Sequence, residues 1–395
     1  PRSSAINSFN GGLNFKYFIG NNEVKYGIEV LGFKTDYSFF NSVGNKFEQA
    51  ESTSELAAFV NYKVKMKKLV IDPGVHLHYY ASLSVFSPEP RIAAKWNVTD
   101  GFRIKGAAGM YSQNLVAANS DRDVVNLFYG FLSSPDELPD ELTTADGEVR
   151  EIKDPLQRAN HYVFGFEVDL LPELEMNIEG YLKDFRQVTN LNRNKLYDDT
   201  PAFADKPDEL KKDFIVETGK AYGGDILLKY EKKNTFIWAV YSLTYVDRFD
   251  GTRSYNPIWD RRHNVNLVLS QAFGKFDAWK VNIRWNYGSG FPFTKTQGFG
   301  EEVDFSGGIG TDITTSNGEL HTFLADLNGG RLPQYHRLDI GITKTWRLDE
   351  HKRVELDISV TNAYDRQNIF YVDRTTNERV DQLPLLPSAG ISYSF

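Results

Sequence analysis

The chain has 395 residues, with 45 Lys and Arg against 53 Asp and Glu and a formal net charge of −8 at neutral pH, which argues against a nucleic-acid partner, whose binding surface would be basic. It contains no run of about 20 consecutive apolar residues, and its mean hydropathy is −0.44, so membrane-spanning helices are excluded. Cysteine is absent, which rules out disulfide frameworks, thiolate zinc sites and cysteine nucleophiles; Phe, Trp and Tyr reach 14% of the chain and need a place.

Length alone would suggest two or three soluble domains, yet no Pro/Ser-rich linker or low-complexity tract divides the sequence. Pro1-Arg2-Ser3-Ser4-Ala5 has neither an initiator Met nor the apolar core of a signal peptide, so the chain is expected to start inside a longer protein, with Pro1 to Asn10 as the tail of a loop. From there, alternating apolar and polar positions predict strands at 12–20, 24–33, 54–65, 69–80, 89–98, 102–113, 159–170, 174–187, 218–230, 235–247, 262–273, 279–289, 335–347, 353–364 and 386–395. Short polar turns are expected at 20–23, 66–68, 99–101, 171–173, 231–234, 274–277 and 348–351. They alternate with long connections near 34–53, 114–158, 188–217, 248–260 and 290–334.

Two features distinguish these strands from those of a soluble sandwich. From Arg353 to Thr361, Val354, Leu356, Ile358 and Val360 share one face, while Arg353, Glu355, Asp357, Ser359 and Thr361 share the other. Along other strands, aromatics bracket the apolar face: Tyr222-Gly224-Ile226-Leu228-Tyr230 and Trp279-Val281-Ile283-Trp285-Tyr287. At about 3.3 Å per residue and a tilt near 40°, each bracket spans roughly 20 Å, close to the apolar band of an outer-membrane barrel between its aromatic girdles. Trp346, Tyr393 and Phe395 are placed in the periplasmic girdle by the same pattern. Turns on one side and loops on the other match outer-membrane topology, with loops extracellular and turns and C-terminus periplasmic. The fold expected is therefore all-β, a transmembrane antiparallel barrel spanning 1–395. Fifteen strands is an odd number where single-chain bacterial barrels close with an even one, so the first strands are expected to be missing.

Candidate chemistry is sparse. His76 and His78 lie two apart on one strand and so face the same way, as inward lining or as two ligands for a metal or siderophore. Arg261, Arg262 and His263 sit at an extracellular strand start, where they would meet lipopolysaccharide phosphates, an anionic substrate or neighbouring loop carboxylates. Residues 114–158 hold ten Asp and Glu against four Lys and Arg, a solvated loop or a recruiter of cations, basic peptides or Ca²⁺-bridged lipopolysaccharide. Asp247-Arg248-Phe249-Asp250-Gly251 and Gly307-Gly308-Ile309-Gly310-Thr311-Asp312 are oxygen- or glycine-rich, but lack full calcium-loop or dinucleotide spacing. No metal site or cofactor is assigned beyond a loop Ca²⁺, and no catalytic constellation assembles. The protein is read as a non-enzyme.

Several segments resemble the C-terminal barrel portion of TonB-dependent outer-membrane receptors, particularly those of Bacteroidota: Pro90-Arg91-Ile92-Ala93-Ala94-Lys95-Trp96, Trp259-Asp260-Arg261-Arg262-His263-Asn264-Val265, Asn286-Tyr287-Gly288-Ser289-Gly290-Phe291-Pro292-Phe293-Thr294, the run from Arg331 to Ile340, the run from Ser359 to Asn368, and the ending Leu386 to Phe395. The resemblance implies a 22-stranded barrel, of which these strands would be the last fifteen, closed by an N-terminal plug domain and importing scarce nutrients (glycan, peptide, siderophore or similar) with energy relayed through the TonB system. It also implies that the terminal Phe395 is read by the barrel-assembly machinery. No plug domain or TonB box is recognisable in the chain. Asp225, Lys229, Arg353, Glu355 and Asp357 would then face the plug, and loops near 188–217 and 290–334 would meet substrate or a surface lipoprotein. The alternative reading is an interaction barrel of an outer-membrane complex carrying such a lipoprotein.

Overall fold

The computed structural model describes residues 2–40, 46–119, 129–135, 138–302, 319–349 and 351–395, and regular structure in it is almost entirely β. Fifteen strands follow one another in a single antiparallel sheet: β1 (Arg2–Ile19), β2 (Asn22–Phe40), β3 (Lys46–Lys65), β4 (Leu69–Tyr80), β5 (Val85–Asn97), β6 (Phe102–Gln113), β7 (Gln157–Leu171), β8 (Leu174–Leu191), β9 (Phe214–Lys232), β10 (Thr235–Phe249), β11 (His263–Phe273), β12 (Trp279–Gly288), β13 (Tyr335–Arg347), β14 (Arg353–Thr361) and β15 (Leu386–Ser394). A two-residue strand, Ser254–Tyr255, adds to β10 off this path. Each strand pairs with its neighbours in sequence, and among the described residues β1 and β15 pair on one side only.

Every strand expected from alternation is present, and the connections have the expected sidedness. One edge of the sheet carries tight turns, the longest being 274–278 and 348–352; the other carries 114–156, 192–213, 250–262, 289–334 and 362–385. The tight turns follow local chemistry. At Gly20 the backbone is left-handed (φ 59°), which glycine adopts without a Cβ clash.

Three expectations need correction, all at the loop edge. The segment 34–53 is not a long loop: β2 runs on to Phe40 and β3 starts at Lys46, paired from Phe40↔Lys46 to Glu23↔Lys63. From Arg2 onward the stretch expected as a loop tail is strand, because β1 is paired with β2 from Arg2↔Phe39. The connection 362–385 was not foreseen and holds a hairpin, Ile369–Val372 with Arg379–Asp381. Polar residues such as Lys34, Asp36, Glu48 and Glu51 make 34–53 look like loop. A small apolar cluster of Tyr37, Phe47, Val116, Leu132 and Leu191 holds that segment as strand. Two of its members come from a hairpin of the next long connection, Leu115–Asn119 with Tyr129–Ser133.

Among the described residues this cluster of buried apolar side chains lies at the loop edge, and none spans the sheet as a hydrophobic core. The apolar face points outward: Ile342 is 42%, Ile358 52% and Ile391 75% exposed. An exposed apolar surface running across a whole sheet needs a non-aqueous environment. The polar face carries its own ladder. Glu167 accepts from Lys95 (2.6 Å), Arg103 Nε (3.0 Å) and Lys105 (3.2 Å), Lys105 also grips Glu179, and Arg103 forks onto Asp169. One face suits lipid and the other suits water or protein.

Candidate functional site

The residues expected to face inward lie on this polar side. Asp225 is in register with Glu179, Lys229 pairs with Glu231 (3.0 Å), Arg353 lies 3.5 Å from Glu355, and Asp357 accepts from Thr343 (2.6 Å). The aromatics of the expected girdles occupy the other side in two tiers. Toward the loop edge, Tyr222 stacks on Tyr245 (5.4 Å) and Trp285 on Tyr287 (6.0 Å). Toward the turn edge, Tyr230 lies on β9, the Lys344 ammonium sits between Trp279 (4.6 Å) and Trp346 (5.8 Å), and Tyr393 stacks on Phe395 (5.7 Å). A lysine whose stem lies along apolar surface while its charge meets aromatic faces is the snorkelling arrangement of a membrane boundary.

His76 and His78 project from β4 on the polar side, and each meets a buried glutamate. His78 Nε2 is 3.1 Å from Glu55. His76 Nδ1 is 3.7 Å from Glu89, too long for a hydrogen bond, and this buried atom has no hydrogen-bond partner. Glu89 also accepts from Arg91 (2.5 Å) and from Ser112 Oγ (2.6 Å), and Tyr80 meets that same hydroxyl at 3.0 Å. The cluster is a polar seam inside the wall. Among the described residues no group of three or more His, Asp, Glu or Cys side chains is arranged to hold a metal ion.

Residues 259–263 fan out in different directions. Asp260 is fully buried and ties three segments together: its carboxylate accepts from the Val246 amide (2.9 Å) and Arg262 Nε (3.0 Å) and pairs with Arg331, which also donates to the Asp260 carbonyl (2.7 Å). Arg262 therefore binds a loop carboxylate. His263 turns to the apolar side, where Nδ1 meets the Tyr241 hydroxyl at 2.9 Å. Arg261 stacks on Phe291 (4.3 Å) and Tyr335 (5.6 Å) and donates to the Ser289 carbonyl (3.0 Å). A Cβ at Gly288 would collide with its guanidinium and one at Gly290 with the Leu332 carbonyl, so glycine at both positions leaves the room this packing needs. Burial pushes the Arg261 pKa down from its usual value, an unfavourable setting for a cation.

On the far side of β13, Asn362 ties down the 362–385 connection. It is fully buried and left-handed (φ 55°), donates to the carbonyls of Arg366 (3.0 Å) and Leu383 (3.1 Å), and its own amide donates to Asp339 (3.0 Å). Asn362→Ala should strand both carbonyls and strain the backbone, costing about 2–3 kcal/mol; equilibrium unfolding in lipid vesicles checks this, and a loss below about 0.5 kcal/mol would refute it.

Of the other loop motifs, Asp250 is taken up by Arg193 (2.9 Å) and the amides of Thr252 (3.1 Å) and Arg253 (2.9 Å). Asp247 accepts from Asn256 (2.9 Å). Gly307 to Asp312, with Asp121, Asp123, Asp136 and Glu137 of the acidic loop, lie outside the described residues. The sequence reading did not single out Asp260, Arg331, Arg366 or Arg379 as site residues. The first three stand in segments quoted for the resemblance, whereas nothing near Arg379 marks it.

No protein-family model and no curated protein sequence matches the chain. Solved structures do match, over all or nearly all of its length. The ferric citrate transporter FecA in its unliganded form has a TM-score of 0.56 at 13% identity and covers 100% of this chain and 55% of that one. The ferric enterobactin receptor PfeA from Pseudomonas aeruginosa has 0.60 at 13%, over 100% and 54%, and the copper transporter OprC 0.57 at 11%, over 99% and 56%. These neighbours are transporters and receptors rather than enzymes, and the chain spans about half their length. The chain has the β-barrel fold of TonB-dependent outer-membrane receptors.

Proposed function

We propose that this chain is the barrel portion of an outer-membrane transporter that takes up a scarce nutrient with energy relayed by the TonB system. The observation that carries the reading is the two-faced sheet, with an aromatic-bracketed apolar face, a charged face, tight turns on one edge and long connections on the other. The loop edge would face the medium, in contact with lipopolysaccharide, and the turn edge the periplasm. Lipid tolerates no unpaired strand edge, so further strands would close the sheet between β15 and β1. A plug domain would rest on the polar ladder. The likeness to FecA, PfeA and OprC supports a metal complex as cargo. The quoted motifs support a Bacteroidota-type receptor, with a surface lipoprotein seated on the long connections.

The test is uptake by the whole protein in a host whose own receptors are deleted, with ferric citrate, ferric enterobactin or copper as the limiting nutrient. Uptake should appear for at least one cargo and vanish when TonB is removed; uptake that survives without TonB, or none for these or for peptide and glycan cargoes, would refute the proposal. Reversing charge at Glu355 or Asp357 (Glu355→Lys, Asp357→Lys) should loosen the plug and raise sensitivity to large antibiotics several-fold, and unchanged sensitivity would count against an interior plug contact.

A further inference from the structure

The pocket behind Arg261 has a composition that neither the barrel wall nor the Asp260 knot explains. It lies at the loop edge, has a volume of about 160 Å³, and is lined by three arginines, Arg261, Arg366 and Arg379, with no Asp or Glu among its lining residues. The arginines come from two connections, the first ahead of β11 and the other two between β14 and β15. Arg261 and Arg366 have no ion pair among the described residues, and bringing two cations to one small opening without a counter-charge is unfavourable unless an anion sits between them.

Their existing contacts leave donors free. Arg261 uses Nε on the Ser289 carbonyl and its flat face on Phe291 and Tyr335. The Arg366 side chain has no hydrogen bond or ion pair among the described residues, and its buried Nε has no partner. Arg379 donates to Asp381 (2.6 Å) and to the Gln367 carbonyl (2.7 Å). It is therefore the one member of the three already neutralised. The opening lies on the polar side of the sheet, because the Arg261 guanidinium packs where a Gly288 Cβ would project and Gly288 shares its face with the polar Asn286 and Arg284.

We propose that this pocket is a binding site for a small oxyanion, a carboxylate or phosphate group of a solute that enters from the loop edge. Arginine suits the task because its planar fork meets two oxygens of such a group at once and keeps its charge when desolvated. Arg366 supplies the free fork, Arg261 is held in place by its two aromatic neighbours, and Arg379, paired with Asp381, lines the rim. The volume admits one phosphate, or a carboxylate with a few waters. The site stands on the pocket alone and holds whether or not the protein transports anything.

The experiment is calorimetric titration of the whole protein, purified in detergent and free of any energy source, with inorganic phosphate and with citrate. Binding should weaken as salt rises. Arg366→Gln should weaken it at least tenfold, Arg366→Lys should recover part of the loss, and Lys220→Gln, far from the pocket, should change nothing. Arg379→Gln should give a smaller loss and serves as the readout if Arg366→Gln does not show the heat-modifiable gel shift of a folded barrel. No binding of phosphate or citrate at about 10 mM, or equal affinity in wild type and the folded arginine variants, overturns the proposal. A parallel titration with lipopolysaccharide separates the sources: competition with bound phosphate supports an oxyanion site, while lipopolysaccharide binding lost in Arg366→Gln with none of the free anions bound overturns the solute assignment. Because no energy is supplied, failure here is distinct from failure of the transport reading.

Discussion

Arginine in place of Ile358 is expected to cost about 2–4 kcal/mol of stability in lipid, the penalty for a guanidinium at the middle of a barrel's lipid-facing surface. Ile358 lies near the centre of β14, is 52% exposed and faces Ile342 across the ladder. In a soluble sheet, arginine at an exposed site would cost almost nothing, so the variant distinguishes the two environments. Ser359→Arg, one residue along on the polar side beside Ser388, should be tolerated. Both are measured by the folded fraction recovered in vesicles and by urea unfolding. Equal stability of the two variants would mean that the apolar face does not meet lipid.

The second large effect is expected at Asp260. Asp260→Ala removes the shared partner of Arg262, Arg331 and the Val246 amide. Breaking a fully buried ion pair from one side costs about 3–5 kcal/mol. The two arginines are about a third exposed (30% and 35%) and recover some hydration, so about 3 kcal/mol is the expected loss. The damage should be local: protease cleavage within 289–334 should accelerate, because Arg331 fastens the end of that connection. Asp260→Asn keeps an acceptor for Val246 and should lose about half as much. Wild-type protease resistance in Asp260→Ala would show that the connection is fastened elsewhere.

These two sites also divide what can be read locally from what cannot. The face of Ile358 follows from alternation alone, since successive side chains in a strand point to opposite sides and only one side of 353–361 is apolar. The pairing of β13 with β14 follows from the short turn between them. Asp260 and Arg331 are 71 residues apart, and no period links them. The same holds for the histidines. Their shared direction was legible from a spacing of two, but Glu55 and Glu89, which lie beside their rings, come from the adjacent strands β3 and β5. Among 261–263, the sequence offered three polar side chains at a strand start, and the structure sends them to an aromatic sandwich, a buried carboxylate and the apolar face.

The sequence by itself determined the strands, their two faces and the sidedness of the connections, because each depends on residues one or two positions apart or on a turn of a few residues. The tertiary structure alone decided how far β2 and β3 run, since packing of Tyr37 and Phe47 against a distant hairpin overrides a polar composition that reads as loop. It alone decided the Asp260 knot and the arginine pocket, whose members are gathered from separate connections. Side-chain charge is a property of sequence, but whether a charge is paired depends on distance in space, and at the loop edge the register of the sheet no longer sets that distance.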